Sequence, residues 1–445
     1  MKRLPYRDYL LILLTAISAL NFTDRIALGL ALQSIKSDLH LNDAQLGFLT
    51  GLAFSVFYAT AGIPIGRWAD RGNRVTIVSL TTFVWSILIA LSGRAVTFLQ
   101  LLLARVGVGV GESGCIPTAY SLISDAFSRA ERPRALGIYA LGGSASFVVG
   151  YFWAGWINQI YGWRDMFMVI GAPGLLVAVL AAMTLREPRL RSGLVRRIAA
   201  FFPVRSSSQV QALLPRLWPT VQALYANAAY RNLLLALTAN YLFGWGIVQW
   251  QPAFFIRSYG LRTGYLGTWL AFSLGISGML GSYLGGHLAS RHAQNNEPLQ
   301  LRVVTALNVA YGAIYTYVYL SRNYYVSFAL IGFAHALAAL GNGPLFAAMQ
   351  AVVPERVRGT SISIVFLCAN LIGGGLGPLL VGVLSDFLHP LLGTESLRYA
   401  LVAMGPGYFW GAWHLWRASK FVQVEIDTVS RQSAVQPPFA AEMRE

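Results

Sequence analysis

Apolar runs of about 20 residues recur along the whole chain, separated by short polar and often basic segments. A helix rises about 1.5 Å per residue, so a run of this length crosses the roughly 30 Å hydrocarbon core of a bilayer. The pattern predicts an all-α membrane protein with 12 transmembrane helices. The predicted spans are Tyr9–Leu32, Ala44–Gly66, Val75–Gly93, Phe98–Phe127, Arg134–Gln159, Asp165–Leu185, Asn232–Ile256, Thr263–Ser290, Leu301–Leu320, Tyr324–Val353, Arg358–Phe387 and Ser396–Ala418.

The spans divide into two sets of six, which predicts two pseudo-symmetric bundles. We expect an N-terminal bundle over residues 1–185, a cytoplasmic linker with interfacial helices over 186–231, a C-terminal bundle over 232–418 and a cytoplasmic tail over 419–445. The halves also resemble each other: Ala130–Gly137 is similar to Pro354–Gly359, and Asn21 of the first span corresponds to Asn240 of the seventh. Parallel repeats of this kind are typical of transporters that rock two bundles about a central site.

Composition agrees with a membrane location and changes the interpretation of the net charge. Hydrophobic residues make up 56% of the chain and charged residues 12%, about half the usual charged share of a soluble domain. A net charge of +16 could favour a nucleic-acid partner, but most of the lysines and arginines lie in one alternating set of loops and at the termini. This positive-inside bias predicts that both termini lie in the cytoplasm and that no nucleic acid is a partner. The short tails and loops predict a bacterial inner-membrane protein.

Two features could suggest a secreted protein or an enzyme. The N-terminal apolar run resembles a signal peptide, but no small-residue cleavage site follows it, and Asn21, Asp24 and Arg25 interrupt its end, so we interpret it as a retained span. Cys115 and Cys368 both lie in predicted spans, which predicts no disulfide. The 6 histidines are scattered, and the motifs His-Glu-x-x-His and Gly-x-Ser-x-Gly do not occur. We therefore expect no enzyme, no metal and no cofactor.

Ionisable residues lie deep inside the first and fourth predicted spans. Arg105 and Glu112 share nearly one helix face and are about 10 Å apart along the axis, and we expect Asp24 at a similar depth. Charges at such depth persist where they pair, face a water-filled cavity or carry protons. Because a moving arginine changes the proton affinity of a carboxylate, we predict that Asp24, Glu112 and Arg105 couple transport to the proton gradient. The alternatives are static ion pairs, including one between Arg25 and Asp24.

A charged loop, Gly66–Arg74, connects the second and third spans and resembles the loop signature of the major facilitator superfamily. A glycine lets two helices approach each other, and Asp70 can accept hydrogen bonds from a helix end or from an arginine across the bundle interface. We predict a conformational latch, formed in one access state and broken in the other, by Gly66, Asp70, Arg71 and Arg74. The alternative is a solvated charged turn.

Further motifs narrow the resemblance to one family. Arg105 and the glycines that follow it are similar to the fourth-span pattern of the superfamily. The segments that resemble the spinster family are Asn21–Arg25, Gly109–Thr118, Ile123–Phe127 and Arg132–Tyr139. Spinster-like proteins export lysolipids and sphingoid phosphates, with proton coupling in some members. The resemblance implies a monomer, with Asp24 and Glu112 as coupling carboxylates and Arg105 as their partner.

The second half carries neutral polar residues where the first carries charges. We predict that the substrate is bound by Arg25, Asn21, Asn240, His335 and Asn370. Histidine ordinarily titrates near neutrality, so His335 is a second proton candidate, or it packs between helices. The asparagines equally suit interhelical hydrogen bonds. A cavity charged on one side and apolar on the other suits an amphiphile. We therefore predict a secondary transporter of a lysolipid or sphingoid-type molecule. The alternatives are a proton-driven drug exporter and an organic-anion transporter. A channel is a further alternative, but broken, glycine-rich helices favour alternating access.

Overall fold

The computed structural model describes residues 5–128, 131–187, 217–293 and 296–435, and these residues form helices joined by short turns, without strands. The all-α fold predicted from the apolar runs is confirmed. The helices of the first half are α1 (Tyr6–Leu39), α2 (Asp43–Thr50), α3 (Leu52–Arg71), α4 (Arg74–Ser92), α5 (Phe98–Glu112), α6 (Cys115–Ala126) and α7 (Arg132–Thr184).

The second half begins inside the region predicted as a linker. Its helices are α8 (Leu217–Ala226), α9 (Ala228–Tyr259), α10 (Thr263–Leu270), α11 (Ser277–His292), α12 (Glu297–Leu320), α13 (Tyr324–Ala351), α14 (Arg358–Cys368), α15 (Gly375–Leu392), α16 (Ser396–Met404) and α17 (Gly407–Val435). Residues 188–216, where further interfacial helices are predicted, lie outside the described residues. Helix α17 continues beyond Ala418, where the predicted span ends. The polar residues that follow form a helix in water as readily as apolar residues do in a bilayer.

Within the described residues, nine segments are long and apolar enough to cross a membrane. Two of them are far longer than one crossing needs, since Arg134–Thr184 has 51 residues and Glu355–Arg431 has 77, against about 20 for a single span. Each holds a glycine with positive φ, Gly162 at 85° and Gly393 at 54°, a conformation that reverses a chain at little cost only for glycine. The multi-pass fold is thus confirmed, whereas the count of 12 crossings stays a prediction.

The fourth predicted span is interrupted in the middle. Helix α5 ends at Glu112 and α6 begins at Cys115, so the interruption lies ahead of Pro117 and not at it. Glycines bring α5 against its neighbours: a Cβ at Gly109 would lie 2.8 Å from the carbonyl oxygen of Phe54, and one at Gly111 would lie 2.8 Å from the Cβ of Trp85. The interruption and this close packing place Glu112 at a helix end in the interior of the first half.

The two faces of the molecule differ in how the halves meet. We call the face that holds Tyr6 the termini side, and the opposite face, where α1 and α9 end, the far side. Among the described residues, the hydrogen bonds that join the first half to the second lie toward the far side; one example is the bond from the amide of Gly264 to Gln159, 2.9 Å long. The halves are therefore closed against each other at the far side.

Candidate functional site

Two buried ion pairs connect α1 with α5 in the middle of the first half. The guanidinium of Arg105 donates to the carboxylate of Asp24 over 2.5 Å. The neighbouring Arg25 donates from Nε and Nη2 to one oxygen of Glu112, over 3.1 and 2.7 Å. Adjacent residues of a helix point about 100° apart, yet the neighbours Asp24 and Arg25 of α1 both reach α5. The four side chains form one group, which we call the charge cluster.

The charge cluster is shielded by aromatic rings. The guanidinium carbon of Arg25 lies 4.3 Å from the ring centre of Phe54 and 5.1 Å from that of Tyr58. Stacking of this kind holds an arginine in place and stabilises its charge away from water. The side chain of Arg25 is 11% exposed, whereas that of Glu112 is fully buried. Arg25 is thus the member of the cluster nearest to solvent.

The pairing differs in one respect from the sequence-based expectation. Arg105 was predicted as the partner of both carboxylates, but in the structure it binds Asp24, and Glu112 binds Arg25 instead. The static pair between Arg25 and Asp24 does not form. Two helical turns separate Arg105 from Glu112, so α1 provides the nearer partner for each. The role in proton coupling stays a prediction.

Each member pair of the cluster retains unused hydrogen-bonding capacity. The second carboxylate oxygens of Asp24 and Glu112, the Nε of Arg105 and the amide nitrogen of Asn21 are buried without a hydrogen-bond partner among the described residues. Buried carboxylates are costly unless they are paired and hydrogen-bonded. Each of these free atoms is therefore a position at which a further hydrogen-bond donor or acceptor would be favourable.

A cavity of about 370 Å³ lies beside the cluster, between α7 and the helices of the second half. It is lined by Asn240, His335 and Trp245, together with glycines and apolar side chains. A smaller opening, lined by Arg25, Arg105, Trp245 and Asn370, connects the cluster to the second half. Trp245 lines both spaces and is therefore the side chain that the cavity and the opening at the arginines share.

The predicted binding residues of the second half differ in their freedom to bind a ligand. Asn240 accepts a hydrogen bond of 3.1 Å from Asn308, and Asn370 donates to the carbonyl of Phe366 over 2.8 Å within its own helix. These two asparagines therefore serve the protein's own packing as well as lining a space. His335 lines the cavity, with its ring centre 6.1 Å from that of Phe147.

Two tyrosines that line the cavity, Tyr311 and Tyr408, were missed from the sequence. Tyr311 belongs to a series with Tyr315 and Tyr319, spaced by four residues, which places the three rings along one face of α12. This spacing is the signal by which the series could have been found. Polar aromatic side chains repeated on one face of a membrane helix indicate a buried, not a lipid-facing, surface.

The far side is closed by a network that centres on Asp43. A sharp turn between α1 and α2, in which His40 has a φ of 51° and Asn42 caps α2, brings Lys36 within 2.6 Å of the Asp43 carboxylate. Arg257 of the second half binds both oxygens of the same carboxylate at 2.7 Å. The turn thus presents an acidic group of the first half to a basic group of the second.

In this network each half donates hydrogen bonds to a carboxylate of the other half. Ser385 of α15 donates to the Asp43 carboxylate over 2.7 Å, and the next residue, Asp386, accepts from the amides of Asp43 and Ala44 over 3.0 and 2.7 Å. A carboxylate at a helix N-terminus satisfies free amides and favours the helix dipole. We call the side chains of Asp43, Arg257, Ser385 and Asp386 the far-side lock.

The predicted latch loop is described only in part. The side chains of Asp70 and Arg71 lie outside the described residues. A Cβ added at Gly66 would meet nothing within 4 Å, so no helix is packed closely on that glycine. Arg74 is fully buried, and its ion pairs at 2.5 and 2.7 Å join Glu187 and Asp125 of its own half. In this structure Arg74 therefore holds the first half together, and the latch stays a prediction.

We expect Arg74→Met to destabilise the first half. The change removes the ion pairs to Glu187 and Asp125, of which the pair with Glu187 is buried on both sides. Breaking one buried ion pair costs about 3 kcal/mol. The apparent melting temperature of the purified protein in detergent should fall clearly below that of the wild type. As a control, Arg358→Met removes a pair whose arginine side chain is 41% exposed and should leave melting almost unchanged; equal melting of the two variants would contradict a structural role for Arg74.

A multi-pass helical protein with buried ion pairs beside a cavity, closed at one face between two halves, has the architecture of a secondary transporter. Comparison with known families agrees. Residues 14–378 match the model of the Major Facilitator Superfamily, and the chain belongs to that superfamily. It is a transporter and not an enzyme.

Similar proteins include efflux and organic-acid transporters. The chain is 29% identical over 393 residues, 88% of its length and 87% of the relative, to an MFS-type efflux pump of Mycolicibacterium smegmatis. It is 25% identical to a probable L-galactonate transporter of Escherichia coli, covering 91% of this chain and 87% of the relative.

Spinster proteins are among the similar proteins as well. Protein spinster homolog 1 of Xenopus tropicalis is 26% identical, over 90% of this chain and 79% of the relative. The crystal structure of a bacterial homolog of the human lysosomal transporter spinster, inward-facing and unoccupied, superposes with a TM-score of 0.80 at 27% identity, covering 95% of this chain and 98% of that one. The resemblance to the spinster family drawn from the sequence motifs is confirmed.

Proposed function

We propose that this chain is a proton-coupled secondary transporter of amphiphilic molecules of the lysolipid or sphingoid type, working by alternating access as a monomer in a bacterial inner membrane. The observation that carries the proposal is the position of the charge cluster next to a cavity whose lining is otherwise neutral. A molecule with an anionic head and an apolar tail would place its head at Arg25 and its tail along the second half. The similarity to spinster proteins supports this substrate class.

Proton coupling follows from competition for Arg25. This arginine neutralises Glu112 and is the most exposed member of the charge cluster. An anionic head group that binds Arg25 draws it away from Glu112, and a buried carboxylate without its partner takes up a proton. Departure of the substrate reverses both steps. Asp24, held by Arg105, acts in the same way through the neighbouring pair.

The proposal includes an orientation for the structure. With both termini in the cytoplasm, as the distribution of basic residues predicts, the closed far side faces outward and the cavity belongs to an inward-facing state. The similarity to an inward-facing solved structure with a TM-score of 0.80 supports this assignment. The far-side lock then closes the outer gate.

Transport of a small organic acid is a second candidate. The cavity is lined by neutral polar groups, among them Asn240, Asn308 and His335, which suit hydroxyl groups better than an alkyl chain. The probable L-galactonate transporter among the relatives is named for a substrate that carries hydroxyl groups. A cis,cis-muconate transport protein and a benzoate transport protein of Acinetobacter baylyi, 26% and 24% identical, are named for acids without them. A carboxylate would bind Arg25 in the same way as a lipid head group.

A reconstituted uptake screen tests both candidates. Purified protein in liposomes should accumulate lysophosphatidic acid or sphingosine phosphate when the pH gradient is imposed, and not when it is collapsed. Galactonate, benzoate and a hydrophobic cationic drug are run in parallel. Gradient-driven uptake of the acids alone would replace the lipid candidate with the second one, and uptake that ignores the gradient would overturn proton coupling.

A further inference from the structure

A second concentration of buried polar atoms lies in the second half, away from the charge cluster. Gln251 of α9 lies beside Tyr315 of α12, and these two side chains and that of Tyr319 are completely buried. Gln251 and Tyr315 are close enough to interact with each other, but no hydrogen bond of normal length and angle reaches the side-chain nitrogen or oxygen of Gln251 or the hydroxyls of Tyr315 and Tyr319 within the described part of the chain. We call these three residues the neutral cluster.

The neutral cluster adjoins the cavity through two further tyrosines. Tyr311 and Tyr408 line the cavity, and their ring centres are 4.6 Å apart. The ring of Tyr311 lies 4.5 Å from that of Tyr315, whose ring is 6.1 Å from that of Tyr319. The tyrosine rings therefore form a continuous row from the wall of the cavity to the neutral cluster.

The chemistry of the neutral cluster selects for an uncharged ligand group. An amide and two phenolic hydroxyls can each donate and accept, as a hydroxyl group requires. The cation nearby, Arg398, cannot neutralise an anion there, because it pairs with Glu395 and donates to the backbone carbonyl of Tyr319 over 2.6 Å. An alkyl chain would offer these buried polar atoms no partner beyond the contact between Gln251 and Tyr315, which is the costly arrangement.

We propose that Gln251, Tyr315 and Tyr319 form a second substrate subsite, which binds a hydroxyl-bearing part of the transported molecule while its anionic group is held at Arg25. The inference rests on the proposed transport function and adds a specificity element to it. A site built to hydrogen-bond a hydroxyl discriminates strongly against a ligand that lacks one, because its own buried groups then stay unpaired. The subsite therefore selects hydroxylated substrates over deoxygenated analogues of the same charge.

Two matched ligand pairs test the subsite on the full-length protein in lipid nanodiscs. The first pair is galactonate and hexanoate, and the second is lysophosphatidic acid and its 2-deoxy analogue; binding is measured by calorimetry. The variants are Tyr315→Phe and Gln251→Leu, which remove the polar atoms and keep most of the volume. Tyr317→Phe is the control, since that residue lies on the same helix and is 57% exposed.

We expect the wild type to prefer the hydroxylated member of at least one pair. Each subsite variant should weaken binding of that member about 10-fold, the value of one hydrogen bond, and leave the deoxygenated member unchanged, while the control changes neither. Equal losses for both members, or a wild type without preference in either pair, would overturn the proposal. Tyr315→Phe retains the ring and carries the test if Gln251→Leu fails to fold.

The outcome is separable from that of the proposed function. Glu112→Gln in the same nanodiscs should retain the hydroxyl preference, because the neutral cluster is left intact, although the variant loses proton-driven uptake in liposomes. A hydroxyl preference without any gradient-driven uptake would uphold the subsite and reject proton coupling. Gradient-driven uptake without a hydroxyl preference would uphold proton coupling and reject the subsite.

Discussion

Glu112→Gln is expected to reduce gradient-driven uptake to the level of protein-free liposomes. The amide keeps the shape of the side chain and can still accept a hydrogen bond from Arg25, but it can neither carry a negative charge nor exchange a proton. Substrate binding at Arg25 therefore no longer loads a proton at residue 112, and the transport cycle loses the proton carried by that pair. Asp24→Asn, which alters the other ion pair of the charge cluster, should have the same effect.

Uptake and counterflow distinguish a loss of coupling from a loss of folding. Counterflow, in which labelled substrate exchanges with unlabelled substrate inside the liposome, needs no net proton movement and should persist in Glu112→Gln. The matched control is Glu355→Gln, a carboxylate whose side chain is 84% exposed, which should transport as the wild type does. Full gradient-driven uptake by either charge-cluster variant would refute the coupling assignment.

The membrane fold and the location of the charge cluster were predictable from the sequence because both depend on local pattern. Apolar runs indicate helices of membrane length, and ionisable residues such as Asp24 and Glu112 stand out within them because charges in a bilayer are rare. The contact between Arg105 and Asp24 could be expected from depth alone. The exchange of partners, by which Arg25 binds Glu112, depends on how α1 is rotated against α5, and no pattern in either helix reveals that rotation.

The contacts between the halves could not be predicted from the sequence, because their members lie far apart along the chain. Asp43 and Arg257 stand at helix ends more than 200 residues apart, where a charged residue is ordinary and attracts no notice. Gln251 likewise is a single polar residue within a predicted span until packing against α12 places the Tyr315 side chain beside it. Such sites are created by tertiary packing, so only the folded chain brings their members together.

Asp43→Asn should shift the molecule towards a state that is open at the far side. Asp43 is only 2% exposed and carries ion pairs with both Arg257 and Lys36, and the pair with Arg257 crosses between the halves. Loss of one partner from a buried pair costs about 3–5 kcal/mol, and this cost falls only on the state in which the far side is closed. Even 3 kcal/mol changes the ratio of two states by more than about 100-fold.

Distances between spin labels on the two halves measure the shift. On a background without Cys115 and Cys368, labels at His40 and Arg322 report the far side, and labels at Arg134 and Glu355 report the termini side. In Asp43→Asn the far-side distance should lengthen while the termini-side distance shortens, since the two halves rock as units.

Asp38→Asn is the matched control for the far-side lock. Its carboxylate lies on the same face, but it pairs with Arg164 of its own half over 2.9 Å, so it stabilises both states equally and should leave both distances unchanged. If Asp43→Asn gave the same distributions as Asp38→Asn, the far-side lock would not set the conformational equilibrium. A longer far-side distance in Arg257→Met as well would show that the ion pair, and not the capping of α2 by Asp386, is what holds this face closed.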